Sequence, residues 1–275
     1  MSIRENLNIL RARFIISAKI YFRYPLNIIL SLFSPIIWLS PFYFMAKAFQ
    51  VEGKISGFES YTGNSDFIGF MVIGYMMASY MGVAMWSMGF SLKEEMRQGV
   101  LESNWSTPAN KILLMVSQSM FKFCIATLEI IITGVICHCI FDFNITPDIL
   151  KIIVILIPGI ISLIGIGVAI SAMVLITKEA NTIIDISSGF LSAFSGSYFP
   201  LNVLPKSLMV ISFAIPLTYL NDSMRGILLG QKTFLPFKYE LIIIIMFTFL
   251  SAFLGVFIFN KTERKCRELG VVSGH

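Results

Sequence analysis

The sequence predicts an all-α membrane protein with six transmembrane helices, an N-terminal amphipathic helix at the membrane surface, and short re-entrant external helices between spans five and six. Three observations predict it. The first is composition: 56% of the 275 residues are hydrophobic and 13% are charged, against about 45–50% and about 25% in soluble domains. The second is the mean hydropathy of +0.80; so little charge does not cover a water-soluble globule of this size, so lipid is the solvent. The third is that the apolar residues fall in runs long enough to cross a bilayer, which takes about 20 residues. The whole chain, 1–275, reads as one membrane domain.

The first segment, 1–24, is not a span. Ile3, Leu7, Leu10, Phe14, Ala18 and Tyr21 recur at steps of three and four, while Arg4, Asn8, Arg11 and Lys19 take the opposite face. That is an amphipathic helix lying in the membrane interface, and Pro25 turns the chain into the bilayer. No signal peptide is expected, because Arg4, Glu5, Arg11 and Arg13 precede any sustained apolar run and no small-residue cleavage site follows one. Five stretches then qualify as spans: 26–49, 67–91, 112–141, 149–176 and 235–260. A sixth, 182–199, is shorter and rich in small residues. Gly74, Ala78 and Gly82 in one span, and Ser188, Ser192 and Gly196 in another, are spaced by four, which lets helix backbones approach.

The stretch 208–215 is apolar but too short to span, and Pro205 and Pro216 bracket it. It reads as a re-entrant or interfacial helix within an external region, 200–230. With six spans, both termini lie in the cytoplasm. Thirteen of the 21 Lys and Arg then fall in cytoplasmic segments, seven in outer segments matched by seven acids, and Lys122 inside the membrane. That asymmetry has the sign of the positive-inside rule. The tail, 261–275, with Lys261, Arg264, Lys265 and Arg267, is cytoplasmic.

The net charge of +5 is dispersed between apolar runs and forms no single patch, so nucleic acid is not expected as a partner. Cys124, Cys137 and Cys139 lie in one apolar segment and Cys266 in the basic tail, which is no disulfide framework. Cys137, His138 and Cys139 make a poor metal triplet, because residues two apart on a helix do not share a face. No metal is expected.

The most charged loop is 92–108, between spans two and three. Met96, Val100 and Leu101 share a helical face there, and Trp105 follows. The plain reading is a solvated linker. An exposed Trp beside apolar neighbours on a short cytoplasmic helix reads instead as a docking surface for another protein. The loop resembles the coupling region of ABC transporter permeases of the type-2 export family, whose pattern is a Glu, three residues, Gly-Thr-Leu-Glu, and a downstream Thr-Pro. Glu95, Gly99, Leu101, Glu102, Thr107 and Pro108 match at that spacing; Val100 replaces the usual Thr, and Asn104 stands where an apolar residue is common. Arg97 and Trp105 complete the expected ATPase-coupling set.

A second block resembles the same family: Ser195-Gly-Ser-Tyr-Phe-Pro200, then Pro205, then Pro216-Leu-Thr-Tyr219, then Arg225-Gly226. The resemblance implies short external helices that re-enter the outer leaflet and close the exit, with Gly196, Phe199, Pro200, Pro205, Pro216, Thr218, Tyr219 and Arg225 as the external gate. After Pro216 the segment reads as amphipathic, with Leu220, Met224, Ile227 and Leu228 opposite Asn221, Asp222 and Arg225. Glu263-Arg264 and Gly270 also resemble the family's ending.

Lys122 and Glu129 sit within the third span, seven positions apart. They share a face, but roughly 10 Å along the axis separates them, too far for a direct pair. Two readings stay open: a polar lining of a transport path or subunit interface, or a Lys that snorkels while the Glu is protonated or hydrogen-bonded. Asp185 reads as interfacial.

Enzyme readings fit poorly. Glu94 and Glu95 with Arg97 have some likeness to the paired glutamates of CAAX-processing intramembrane proteases, but the spacing to Arg differs, the loop lies outside the membrane, and only His138 offers an internal histidine. No G-x-x-x-x-G-K-[ST] phosphate loop occurs. The resemblance therefore implies a permease subunit of an ATP-binding-cassette exporter in the plasma membrane, bacterial inner membrane by expectation. It would bind no cofactor itself; ATP and Mg would sit on partner ATPase subunits. A second permease copy or related chain and membrane lipid are the other expected partners. A hydrophobic or amphipathic cargo (drug, lipid or peptide) is favoured, with a polysaccharide or lipid-linked glycan exporter as the alternative. A self-contained ion-coupled transporter or channel, or a non-transporting sensor, are rivals from other classes.

Overall fold

A computed structural model describes residues 3–51, 54–55, 57–107, 110–141 and 147–268. Helix α1 (Ile3–Arg23) leads into α2 (Pro25–Phe49), which starts on a proline at its first position, where the missing N–H costs nothing. A two-residue antiparallel ribbon, β1 (Gln50–Val51) with β2 (Lys54–Ile55), and the short helix α3 (Phe58–Thr62) follow. Helix α4 (Phe67–Met85) is capped by Asp66, whose side chain accepts from the Gly69 N–H at 2.7 Å. It continues through a π-helical turn, Trp86–Phe90, into α5 (Ser91–Arg97). Then come α6 (Leu101–Ser106), α7 (Lys111–Phe141), α8 (Ile149–Thr177) and α9 (Asn181–Phe194). A 3-10 turn at Leu201–Val203 precedes α10 (Lys206–Phe213) and α11 (Pro216–Leu229), and α12 (Phe237–Glu268) ends the described chain.

Five described helical rods are long and apolar enough to cross a membrane: Pro25–Phe49, Phe67–Arg97, Lys111–Ile140, Ile149–Thr177 and Phe237–Glu268. The all-α polytopic architecture expected from composition is the one observed. Three boundaries differ. The second rod runs unbroken to Arg97, because the π turn keeps the backbone helical where a loop was expected to begin. The last rod runs eight residues past 260, since 261–268 is strongly helix-forming and finds packing partners. The sixth expected span is α9, which at 14 residues is about 21 Å long against a core of about 30 Å; it stops at Ser195, where Gly196 takes φ +73°.

The central core is built around α4, with Phe70, Ile73, Met77, Tyr80, Met81 and Met85 buried among residues of α8, α11 and α12. The tightest seam joins α8 and α12. A Cβ on Gly165 would lie 2.5 Å from the Ser251 carbonyl carbon, and one on Gly255 would lie 2.3 Å from the Gly165 oxygen. Small residues thus do mediate close packing, although not throughout the predicted stripe: Gly74 is pressed against Ser197, whereas Gly82 faces open space. Helix α1 lies along α7, with Phe14 and Tyr21 edge-on to Phe121. Its predicted apolar stripe is therefore met largely by protein, and Leu7, Ile15, Ile16, Ile20 and Phe22 remain exposed.

Candidate functional site

Two constructions stand at opposite ends of the bundle. The first is the turn between the second and third long rods. Helix α5 ends at Arg97, Gly99 takes φ +68°, and α6 begins at Leu101. The left-handed backbone at Gly99 costs a residue with a Cβ about 1–2 kcal/mol, so glycine fits here for a backbone reason. The short cytoplasmic helix expected within 92–108 is consequently two short helices, α5 and α6. Glu95 pairs with Arg13 of α1 at 3.6 Å, Glu94 takes a two-point contact from Arg97 at 2.6 and 2.9 Å, and Lys93 reaches Glu179 at 3.3 Å. The helix thus ties together α1, its own next turn and the link that follows α8.

Trp105 is not the exposed anchor that the sequence predicts. It is 6% exposed, with its ring edge-on to Phe259 of α12 at 6.2 Å and Leu101 buried beside it among Met88, Leu92, Met115, Val168 and Cys266. Leu101 and Trp105 are four apart, so one helical face places both inward. The outward surface is Arg97, Gln98, Gly99, Val100, Ser103, Ser106 and Thr107. Val100 is its apolar member, and Met96 is only partly covered. Glu102 falls in the first turn of α6; its side chain and Pro108 lie outside the described residues.

The second construction is the return after α9. Pro205 and Pro216 each precede or open a helix, α10 and α11. The Thr218 hydroxyl donates to the Ser212 carbonyl at 2.6 Å and the Tyr219 hydroxyl to the Phe213 carbonyl at 3.1 Å, so α11 folds back on α10. Arg225 is the centre of this end. It is 4% exposed, and its guanidinium donates to the carbonyls of Gly196 (2.8 Å), Ser197 (3.0 Å) and Phe70 (3.1 and 3.3 Å), with its carbon 3.4 Å above the Phe70 ring centroid. Gly196 is doubly constrained, since an added Cβ would lie 2.9 Å from Leu201. Phe199 and Pro200 close the turn, half-buried.

The predicted polar face of α11 does not meet solvent. Asn221, Asp222 and Arg225 are all buried, because each finds a partner that replaces water. Asn221 donates to the Ser197 hydroxyl at 2.9 Å and the Ser195 carbonyl at 3.2 Å; Asp222 accepts from the Phe234 N–H at 2.6 Å; and the Ser223 hydroxyl donates to Glu240. Beside Glu240, a cavity of about 230 Å³ is lined by Asp148, Lys151, Ser223, Gln231 and Thr233 among others. At its rim the Lys151 side chain and backbone N–H hold the Asp148 carboxyl below its usual range. This network of Asn221, Asp222, Ser223 and Glu240 was not legible in sequence, where such residues look like an ordinary solvated face.

Lys122 and Glu129 are not brought together. Glu129 accepts from the Tyr21 hydroxyl of α1 at 3.0 Å and the Ser31 hydroxyl of α2 at 2.7 Å, while Lys122 is exposed. Asp185 is exposed, as an interfacial residue would be. Cys124, Cys137, Cys139 and Cys266 are free thiols, and no group of metal ligands occurs among the described residues.

A long-rod bundle with a charged turn at one end and a folded-back helix pair at the other is the arrangement that the two sequence blocks resemble. The family model of the ABC-2 type transporter matches residues 8–229, taking in both constructions. The chain belongs to the ABC-2 type transporter family. No curated protein matches the sequence significantly. As an ABC-2 permease it is a multi-pass transport subunit that works with a separate ATP-binding-cassette ATPase. The ABC-2 match ends at Leu229, before α12 begins.

Proposed function

We propose that the chain is the permease of an ATP-driven exporter, with the turn from Glu95 to Thr107 as the handle on which the ATPase acts. The observation that carries this reading is the exposed patch of Arg97, Gln98, Gly99, Val100 and Ser103, mounted on a buried base of Leu101 and Trp105 that packs against α8 and α12. A push on such a patch is delivered to the bundle instead of being lost in a loose loop. Two permeases, identical or related, would assemble with two ATPases that hold the ATP and Mg. In this arrangement α9 with the 195–200 turn makes the sixth crossing, both termini are cytoplasmic, and the membrane is a bacterial inner membrane.

At the other end, Gly196, Phe199, Pro200, Pro205, Pro216, Thr218, Tyr219 and Arg225 would hold the exit closed, with α10 and α11 re-entering the outer leaflet. A hydrophobic or amphipathic cargo suits the apolar walls. Glu129, already satisfied by Tyr21 and Ser31, would serve as a strut between α1, α2 and α7, leaving Lys122 the freer of the two to meet cargo or a second permease.

The test is co-expression with a candidate partner ATP-binding-cassette ATPase. The wild-type chain should retain the ATPase through purification, and Val100→Asp should lose it while eluting as the same folded species. Cargo pumped by the purified chain alone in vesicles would defeat the reading.

A further inference from the structure

Beyond residues 8–229, which the family model matches, the end of α12 carries a cluster that reaches back to Trp105 of the coupling turn. Glu263 is well covered, and one of its carboxylate oxygens meets two cations: Lys111 Nζ at 3.0 Å and Arg267 Nε at 2.5 Å. Lys111 is the first residue of α7. Both cations lie near the same indole, each 5.9 Å from the Trp105 ring centroid, and Arg267 also donates to the Trp105 carbonyl at 3.3 Å. Phe259, one turn earlier on α12, closes the ring edge-on. One carboxylate oxygen therefore holds two cations side by side against one side of one tryptophan, and that tryptophan lies in the short helix after Gly99.

We propose that Glu263 is a positioning residue for coupling: it clamps Trp105 between α7 and α12, so that displacement of α6 is passed to α12 and, through the Gly165–Gly255 seam, to α8. The physical case rests on stiffness. Two charge-assisted contacts on one largely covered oxygen are short and orientation-specific, and cation–π contact adds to ring burial. Without the carboxylate, Lys111 and Arg267 are left side by side as like charges next to the indole and separate. The Trp105 ring is then held by apolar packing alone, which has no preferred direction.

The inference rests on the coupling role proposed above, and the test separates the two. In the chain by itself, with Trp38 and Trp86 replaced by Phe, Trp105 fluorescence reads the clamp directly. Glu263→Gln is expected to raise acrylamide quenching and shift the emission to the red, and Lys111→Met to do so as well. In the complex with its ATPase, reconstituted in vesicles, Glu263→Gln is expected to leave subunit stoichiometry unchanged and ATP hydrolysis near wild type. The amount of cargo moved per ATP should fall about fivefold or more. Unchanged quenching in both variants would overturn the clamp. Loosened Trp105 with undiminished transport per ATP would overturn its part in coupling. If the wild-type chain binds no ATPase at all, the coupling reading fails whatever the fluorescence shows, and with it the functional part of this inference. If Glu263→Gln does not fold, Lys111→Met supplies both readouts.

Discussion

Gly74 and Gly82 occupy equivalent places in one helical stripe and have opposite surroundings. A Cβ on Gly74 would fall 1.8 Å from the Ser197 carbonyl oxygen and 2.5 Å from the Arg225 guanidinium, whereas nothing lies within 4 Å of one on Gly82. Gly74→Ala therefore has to push the 195–200 turn off α4, and is expected to cost about 1–3 kcal/mol. Gly82→Ala is expected to be neutral or to gain up to about 1 kcal/mol from helix propensity. Thermal unfolding of the two detergent-purified variants, followed by size-exclusion of the surviving fraction, checks the contrast. Arg225 makes the same point with charge. Its donors satisfy three carbonyls from two segments, and Arg225→Met leaves those oxygens buried without partners. The expected loss is about 3 kcal/mol or more, read in the same assay. Arg225→Lys should recover only part of it, because a single ammonium lacks the planar fork that reaches Phe70, Gly196 and Ser197 together.

At the scale of elements, apolar length and proline placement were legible and partners were not. All five long rods start within a residue or two of where the apolar runs begin, and the helices on either side of Pro216 begin and end where the prolines require. The break at Gly99 was not read, although a glycine stands where the backbone turns left-handed. What the sequence could not show was the direction in which Trp105 and the polar side of α11 point. An indole on a short charged helix reads as exposed unless Phe259, 154 positions later, is known to cover it. Asn221 and Asp222 read as a wet face unless Ser195, Ser197 and Phe234 are known to meet them. Both misreadings share one cause: periodicity tells which residues share a side of a helix, but not whether water or protein lies there. The Glu263–Arg267 spacing of four was a visible hint of an ion pair, while its link to Lys111 depended on the fold.

For the whole molecule, the decisive quantity is which residues lie on the same side of the bilayer. The proposed six-crossing arrangement places the exposed residues Gln98 and Lys261 on one side and the exposed Asn202 and half-buried Gln231 on the other. In a variant lacking the native cysteines, single cysteines at 98 and 261 should react with a membrane-impermeant maleimide only after permeabilisation. Cysteines at 202 and 231 should react in intact cells. Labelling of 98 and 261 from opposite faces would mean that α9 does not cross. The α8–α12 seam bears on how such a bundle would move: backbones as close as those at Gly165 and Gly255 would slide or tilt together.

The π-helical stretch at Trp86–Phe90 has a consequence for the Gly99 corner. A π turn stores one surplus residue within an otherwise α-helical rod. Releasing it would screw the lower part of the rod, with the Gly99 corner attached, by about 100° around its own axis. No peptide group would have to leave the apolar slab. Removing a single amino acid from Trp86–Phe90 is therefore expected to leave a continuous α-helix with the Gly99 corner turned by about 100° from its present bearing.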